Sequence, residues 1–216
     1  MAINFAGGTD AISYAGPGWQ TSGCCTLRMK TTQTTANAVP LSIWNSSSRN
    51  GFAFILNNTA NKLLAHAYGV DGSSVGFSFP STTTVNDGNE HIIALNWDTN
   101  SGGANAFYID GNLEGSGNSA VTWTMAAGET LRLANQPSFW AAYVGEISEV
   151  AVWRRQLDAV EITGWLAKKG SPAQLRNGLI FHAPLVRPAR DRYGAVMTGP
   201  TGTTVSDHGP VIYPRA

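Results

Sequence analysis

From Thr130 the chain reads TLRLA, apolar and polar residues alternating at period two, and from Gly145 it reads GEISEVAVW, dense in β-forming residues. Both stretches predict strands, because alternate side chains of an extended chain share a face. Next comes Asp158-Ala-Val-Glu161, a cap with an acidic residue three positions on, and then an apolar stripe of Ile162, Trp165 and Leu166. That pattern predicts one short helix near 158–168, with Lys168 and Lys169 suited to its negative end and Gly170 and Pro172 stopping it. The same reading for alternation predicts strands at 3–5, 26–30, 40–44, 51–56, 62–68, 75–79, 90–97, 104–110, 121–124, 130–134 and 145–153. Many short strands, parted by turns such as Asp110-Gly111, predict an all-β, antiparallel two-sheet sandwich.

After Gly170 the texture changes. GLIFHAPL predicts one more strand, and beyond it the chain is rich in Pro and Gly without a sustained period. The expected division is a sandwich over 1–178, followed over 179–216 by the added strand and an extended C-terminal arm. The arm carries Arg187, Arg190 and Arg192, and its apolar end at Val211, Ile212 and Tyr213 argues against a purely solvated tail. It either folds back on its own sandwich or docks on a neighbouring subunit by backbone pairing and side-chain anchors.

The strand, loop, strand and helix order of 130–172 resembles the C-terminal signature of the laminin-G-like, concanavalin A-like lectin/glucanase superfamily. INFAGGTDAISYAGPG resembles its opening strand and Gly-Asp turn, CTLRMK its first long strand, and HIIALNWDTNSGGANAFYIDG its hairpin. The likeness covers roughly residues 1–170 and implies a jelly-roll sandwich. It does not choose a function, since this fold carries lectins, glycosidases, adhesion modules and virion proteins.

Composition narrows the classes. Charged residues are 13% of the 216-residue chain and the net charge is zero, which argues against electrostatic binding to nucleic acid or an anionic membrane. A neutral polar surface suits packing against protein or contact with sugar. No charged segment leading into an apolar stretch opens the chain, and no apolar run is long enough to span a bilayer. Cys24 and Cys25 are adjacent, so on a strand they point to opposite faces and are expected as free thiols. A lectin-like sandwich lacking both an export signal and a disulfide framework fits a bacteriophage structural protein, made in the host cytoplasm and released by lysis. The ending HGPVIYP is also similar to the termini of phage-encoded laminin-G-like proteins.

Three chemistries fall on particular residues. Glycosidases of the resembled family place acidic residues two apart on one strand, giving carboxylates about 5–10 Å apart. Here Glu146 and Glu149 are three apart, Ser148 fills the position where an Asp is expected, and only a β-bulge would restore a common face. No catalytic residue is assigned. The resemblance also implies a calcium site, in which Asp10 matches the first position and Glu149 would stand in for the acid that Ser148 replaces. No other cofactor is expected. Aromatic rings supply the third, because the apolar face of a pyranose stacks on Trp or Tyr. Trp19, Trp44 and Trp123 are candidates, and the loop holding Asn135, Phe139, Trp140 and Tyr143 is the foremost carbohydrate or partner surface. Trp97, Trp153 and Trp165 fit core positions.

The expected function is therefore a non-enzymatic virion component, a capsid decoration (cement) or tail-associated protein. Its partners would be capsid or tail proteins and sibling subunits, in a homo-oligomer clipped together by the arm. The alternative is a carbohydrate-binding module or receptor-binding head that recognises a host glycan. A glycoside hydrolase ranks third.

Overall fold

The computed structural model describes residues 2–8, 10–45, 50–56, 61–69, 73–125, 129–134, 140–168 and 170–185, with the backbone of 197–198 and 204–206. In chain order the strands are β1 (Ala2–Phe5), β2 (Ile12–Tyr14), β3 (Ser22–Lys30), β4 (Ala38–Asn45), β5 (Asn50–Leu56), β6 (Leu63–Tyr68), β7 (Val75–Pro80), β8 (Glu90–Asp98), β9 (Ala104–Ile109), β10 (Asn112–Asn118), β11 (Leu131–Leu133), β12 (Ala141–Ala142), β13 (Gly145–Trp153), β14 (Leu179–Ala183), β15 (Met197–Thr198) and β16 (Thr204–Ser206). They form two sheets. The first runs β10-β9-β8-β3-β13-β1-β16, with β14 also on β13, and the second β15-β2-β11-β4-β5-β6-β7, with β12 on β4. Pairing is antiparallel except between β12 and β4.

Alternation explains the layering. Leu27 and Met29 of β3, Ile93 and Leu95 of β8, Phe52 and Phe54 of β5 and Ala65 and Ala67 of β6 all enter one inter-sheet core. Its fully buried tryptophans, Trp97 and Trp123, flank Phe52 with ring centroids 5.6 and 6.3 Å away. Cys24 and Cys25 are both buried and free, and they face opposite ways, Cys25 into this core and Cys24 into a smaller cluster on the outer side.

That outer cluster is covered by the predicted helical segment. Asp158 and Glu161 form the expected reciprocal cap: Glu161 N donates to Asp158 Oδ1 at 2.8 Å, and Asp158 N donates to Glu161 Oε2 at 3.0 Å. The segment is not a regular α-helix. It winds as a π-helical turn, Val160–Trp165, and then as a 3₁₀ turn, Leu166–Lys168. Ile162 and Leu166 are buried as the stripe predicts, whereas Trp165 lies at the rim, 36% exposed, its indole directed at the Ser171 carbonyl. No described helical segment is long and apolar enough to cross a membrane.

Two expectations about strands change. The stretch 121–124 is not a strand; Trp123 pins it as a plug, fully buried and donating its indole N–H to Asp98 O at 3.2 Å. β10, NLEGSGN, was not predicted, because a polar, Gly-rich edge strand has no buried face to alternate against. The added strand appears as β14, and two short stretches of the arm pair with this chain's own sandwich, β15 with β2 and β16 with β1. The anchors named for the arm, Arg187, Arg190, Arg192, Val211, Ile212 and Tyr213, lie outside the described residues.

Candidate functional site

The second sheet sends alternate residues outward. Because Leu41 and Ile43 face the core, Ser42 and Trp44 face out from β4, and by the same count Ala53, His66 and Ser78 face out from β5, β6 and β7. Strand register aligns them into one row, Ser13, Arg132, Ser42, Ala53, His66 and Ser78. Beside it lies a shorter row of Trp44, Gly51 and Tyr68. Strands two apart in a sheet lie about 9.5 Å from each other. Yet the Trp44 and Tyr68 rings meet edge-to-face at 5.2 Å, over a residue with no side chain. A Cβ on Gly51, whose φ is +111°, would collide with the Ile43 carbonyl oxygen. Glycine therefore fixes the backbone here and opens the gap across which the rings join.

Two further rings complete the cluster. Trp140 stands 5.1 Å from Trp44, and His66 stands 4.5 Å from Tyr68, both edge-to-face. Trp140 also packs on Val39, Ala53 and Ile55. Trp44 is 2% exposed, while His66, Tyr68 and Trp140 remain partly exposed.

The polar atoms of this cluster are not satisfied. Among the described residues, the buried side-chain nitrogens and oxygens without a hydrogen-bond partner are Thr26 Oγ1, Trp44 Nε1, His66 Nδ1, His66 Nε2 and His182 Nδ1. Three of these five belong to Trp44 and His66. Each buried polar group left unpaired costs about 1–3 kcal/mol, so their concentration on one aromatic face makes this face the candidate site. Burial lowers the His66 pKa from 6.5, which leaves its imidazole neutral at physiological pH.

A family model described as the Concanavalin A-like lectin/glucanases superfamily matches residues 7–163. The chain belongs to this superfamily. Solved structures similar to this member include a native heptameric SAP-like pentraxin from Limulus polyphemus, 16% identical, with a TM-score of 0.66 over 91% of this chain and 93% of that one. A putative carbohydrate-binding protein from Bacteroides ovatus is 14% identical, with a TM-score of 0.70 over 96% of this chain and 60% of that one. The sialidase module CBM40 of Ruminococcus gnavus, bound to α2,3-sialyllactose, is 16% identical, with a TM-score of 0.60 over 76% of this chain and 95% of that one. At such identities these likenesses bear on fold alone. No curated protein matches this chain in sequence.

The residues singled out from sequence divide clearly in this concanavalin A-like frame. Trp44 and Trp140 come together as an aromatic face. Tyr143, three positions from Trp140, is no surface residue: it is fully buried and its hydroxyl donates toward the carbonyls of Lys30 and Glu146, at 3.0 and 3.2 Å. Trp19 and Trp123 are likewise core, the Trp19 indole donating to Glu129 O at 2.7 Å. Asn135 and Phe139 lie outside the described residues. His66 and Tyr68 escaped sequence reasoning, although their two-residue spacing on an alternating strand put them on one face.

The superfamily's acidic chemistry does not fit here. A bulge does interrupt β13, between Ser148 and Ala151, with Glu149 at a φ of +50°. It turns Glu149 under the helical cover, where its carboxylate meets His182 Nε2 at 2.8 Å and the pair is wholly buried. Glu146 instead approaches Lys30, 3.9 Å away. A sealed carboxylate cannot act on a sugar with its neighbour, so no glycosidase dyad forms. The same burial removes Glu149 as a calcium ligand. Asp10 is spent on its own turn, accepting from Ala6 N at 2.8 Å, and no group of three or more His, Cys, Asp or Glu suited to a metal occurs among the described residues.

Proposed function

We propose that this chain is a non-catalytic carbohydrate-binding module, and that sugar docks on the outer face of the second sheet. Tyr68 and Trp140 offer ring surface for a pyranose, and Trp44 and His66 offer the polar contacts. The observation that carries this reading is the set of three unpaired, buried nitrogens within one cluster of rings. A ligand with hydroxyls on an apolar ring relieves them and stacks at once. The carbohydrate-binding protein and the sialidase module among the fold neighbours support the same reading.

The capsid-decoration role drew on the arm, whose named anchors are outside the described residues, and a virion location or an oligomer adds nothing that the aromatic face requires. The deciding experiment is a glycan array probed with the full chain, followed by affinity measurements on Trp140→Ala and Trp44→Ala. The expected result is saturable binding that weakens at least about tenfold, some 1.4 kcal/mol, in each variant. Wild-type protein that binds no glycan, or a Trp140→Ala protein that binds as well as wild type, would overturn the proposal.

A further inference from the structure

The donors and acceptors of this face specify more than a sugar. Trp44 Nε1 only donates. A neutral imidazole donates from one nitrogen and accepts at the other. The three unpaired nitrogens therefore ask a ligand for two acceptors and one donor. Neighbouring hydroxyls meet that demand, since each O–H both donates and accepts. A carboxylate, sulfate or phosphate only accepts, and would leave the histidine lone pair facing an anion.

The surroundings of His66 point the same way. Its own strand places Leu64 and Tyr68 on the shared face, β5 places Ala53 and Gly51 there, β7 places Ser78, and β4 beyond places Ser42 and Trp44. None of these positions carries a carboxylate that would favour the imidazolium. Arg132, the charged residue of the row, sits on β11 past Ser42 and turns its guanidinium to Trp44 O at 3.2 Å. It stands three strands away from His66, whose pKa is lowered by burial. Because these nitrogens are buried, a hydroxyl that reaches them displaces the edge of a neighbouring ring, a side-chain change common on binding.

Building on the carbohydrate reading, we infer that the ligand is an uncharged glycan recognised through neighbouring hydroxyls, with His66 as both donor and acceptor and Trp44 as donor. A carboxylate or sulfate placed on these nitrogens is refused. Protonation of His66 removes its acceptor, so only the neutral form binds, and the apparent affinity follows the neutral fraction. It is steady above 6.5 and falls on acidification, approaching about tenfold per pH unit once most of the imidazole is charged.

The test uses the full chain on an array of neutral oligosaccharides and acidic ones, including sialyllactose and sulfated and uronic-acid sugars. The strongest binder is then titrated calorimetrically from neutral to mildly acidic pH, against wild type and His66→Gln, whose amide keeps a donor and an acceptor but gains no charge. Expected are neutral hits, wild-type affinity that falls with pH, and a flat profile for His66→Gln. Acidic hits that tighten on acidification, or a neutral ligand bound by wild type without pH dependence, would overturn the inference. Should His66→Gln not fold, the His66 ring resonances of wild type decide: saturation with the neutral sugar lowers the His66 pKa further, and a rise refutes the inference. If no glycan binds at any pH, the carbohydrate reading itself falls, a result distinct from binding that ignores pH.

Discussion

Trp153 on the first sheet and Trp44 on the second both point away from the inter-sheet core, and both are buried, at 0% and 2% exposure. Their polar atoms differ. Trp153 Nε1 donates to Leu175 O at 2.7 Å, whereas Trp44 Nε1 has no partner. Around Trp153 the chain has covered its own sheet, packing Leu157, Ile162 and Leu166 onto Cys24, Ala94 and Ala151. The cover is also hydrogen-bonded down, since the Asn96 side chain donates to Leu157 O at 2.7 Å and accepts from Leu157 N at 3.0 Å. Two polar atoms stay unpaired on this side, Thr26 Oγ1 and His182 Nδ1, but both are sealed beneath the cover, 2% and 0% exposed. On the second sheet the unpaired nitrogens sit among rings that remain partly exposed. One outer face is finished by the fold, and on the other, under the proposed function, a ligand completes the pairing.

Trp153→Ala tests the finished face and carries the largest expected effect. Removing a fully buried indole leaves a cavity and an unpaired Leu175 carbonyl, a loss of about 3–5 kcal/mol in chemical denaturation. Trp140→Ala, at a partly exposed ring, should cost under about 1 kcal/mol while it weakens sugar binding at least about tenfold. Equal losses of stability from the two variants would break the comparison.

A smaller effect should come from the cap that starts the cover. Asp158→Ala removes the acceptor for Glu161 N and should cost about 1 kcal/mol. Because Cys24 lies beneath the helical segment and Cys25 lies in the main core, local opening exposes one thiol and not the other. In single-cysteine backgrounds, thiol labelling of Cys24 should quicken in Asp158→Ala while that of Cys25 tracks global unfolding. Parallel acceleration at both would mean that the cover does not open separately.

Why one face was easier to foresee than the other lies in the distance over which its contacts form. Asp158 and Glu161 are three residues apart, and Cys24 and Cys25 adjacent, so the cap and the split of the thiols follow from local spacing alone. Most strands were also legible, since alternation survives wherever one side is buried. Tyr143 was misjudged because what buries it is remote: its hydroxyl reaches the carbonyl of Lys30, 113 positions away. Glu149 depends on a bulge in a strand that serves β1, β3 and β14 together. The ring cluster draws Trp44, Tyr68 and Trp140 from separate elements, and Gly51, the residue that lets two of them meet, carries no side chain to notice.

Two histidines give the comparison its smallest and most specific test. His91, at the start of β8, is held between Asp110 at 2.7 Å and Asp87 at 3.1 Å, and the hydrogen bond to Asp110, aided by Asp87, raises its pKa above 6.5. Among the described residues His66 meets no carboxylate, and burial lowers its pKa. Their linkage to stability is opposite in sign. The contribution of His91 is full below 6.5 and is lost as pH rises through its raised pKa; the penalty at His66 is absent above 6.5 and grows as pH falls toward its lowered pKa. Asp110→Asn keeps an oxygen for the Ile92 N–H but removes the charge beside His91. Both aspartates are more than a third exposed, so the loss should stay below about 1 kcal/mol. It should be greatest below 6.5 and vanish in alkali, while His66→Gln should gain stability over the same acidic range. Melting temperatures across pH for the two variants check both signs, and a shared sign would mean that the flanking carboxylates do not set the difference between the two histidines.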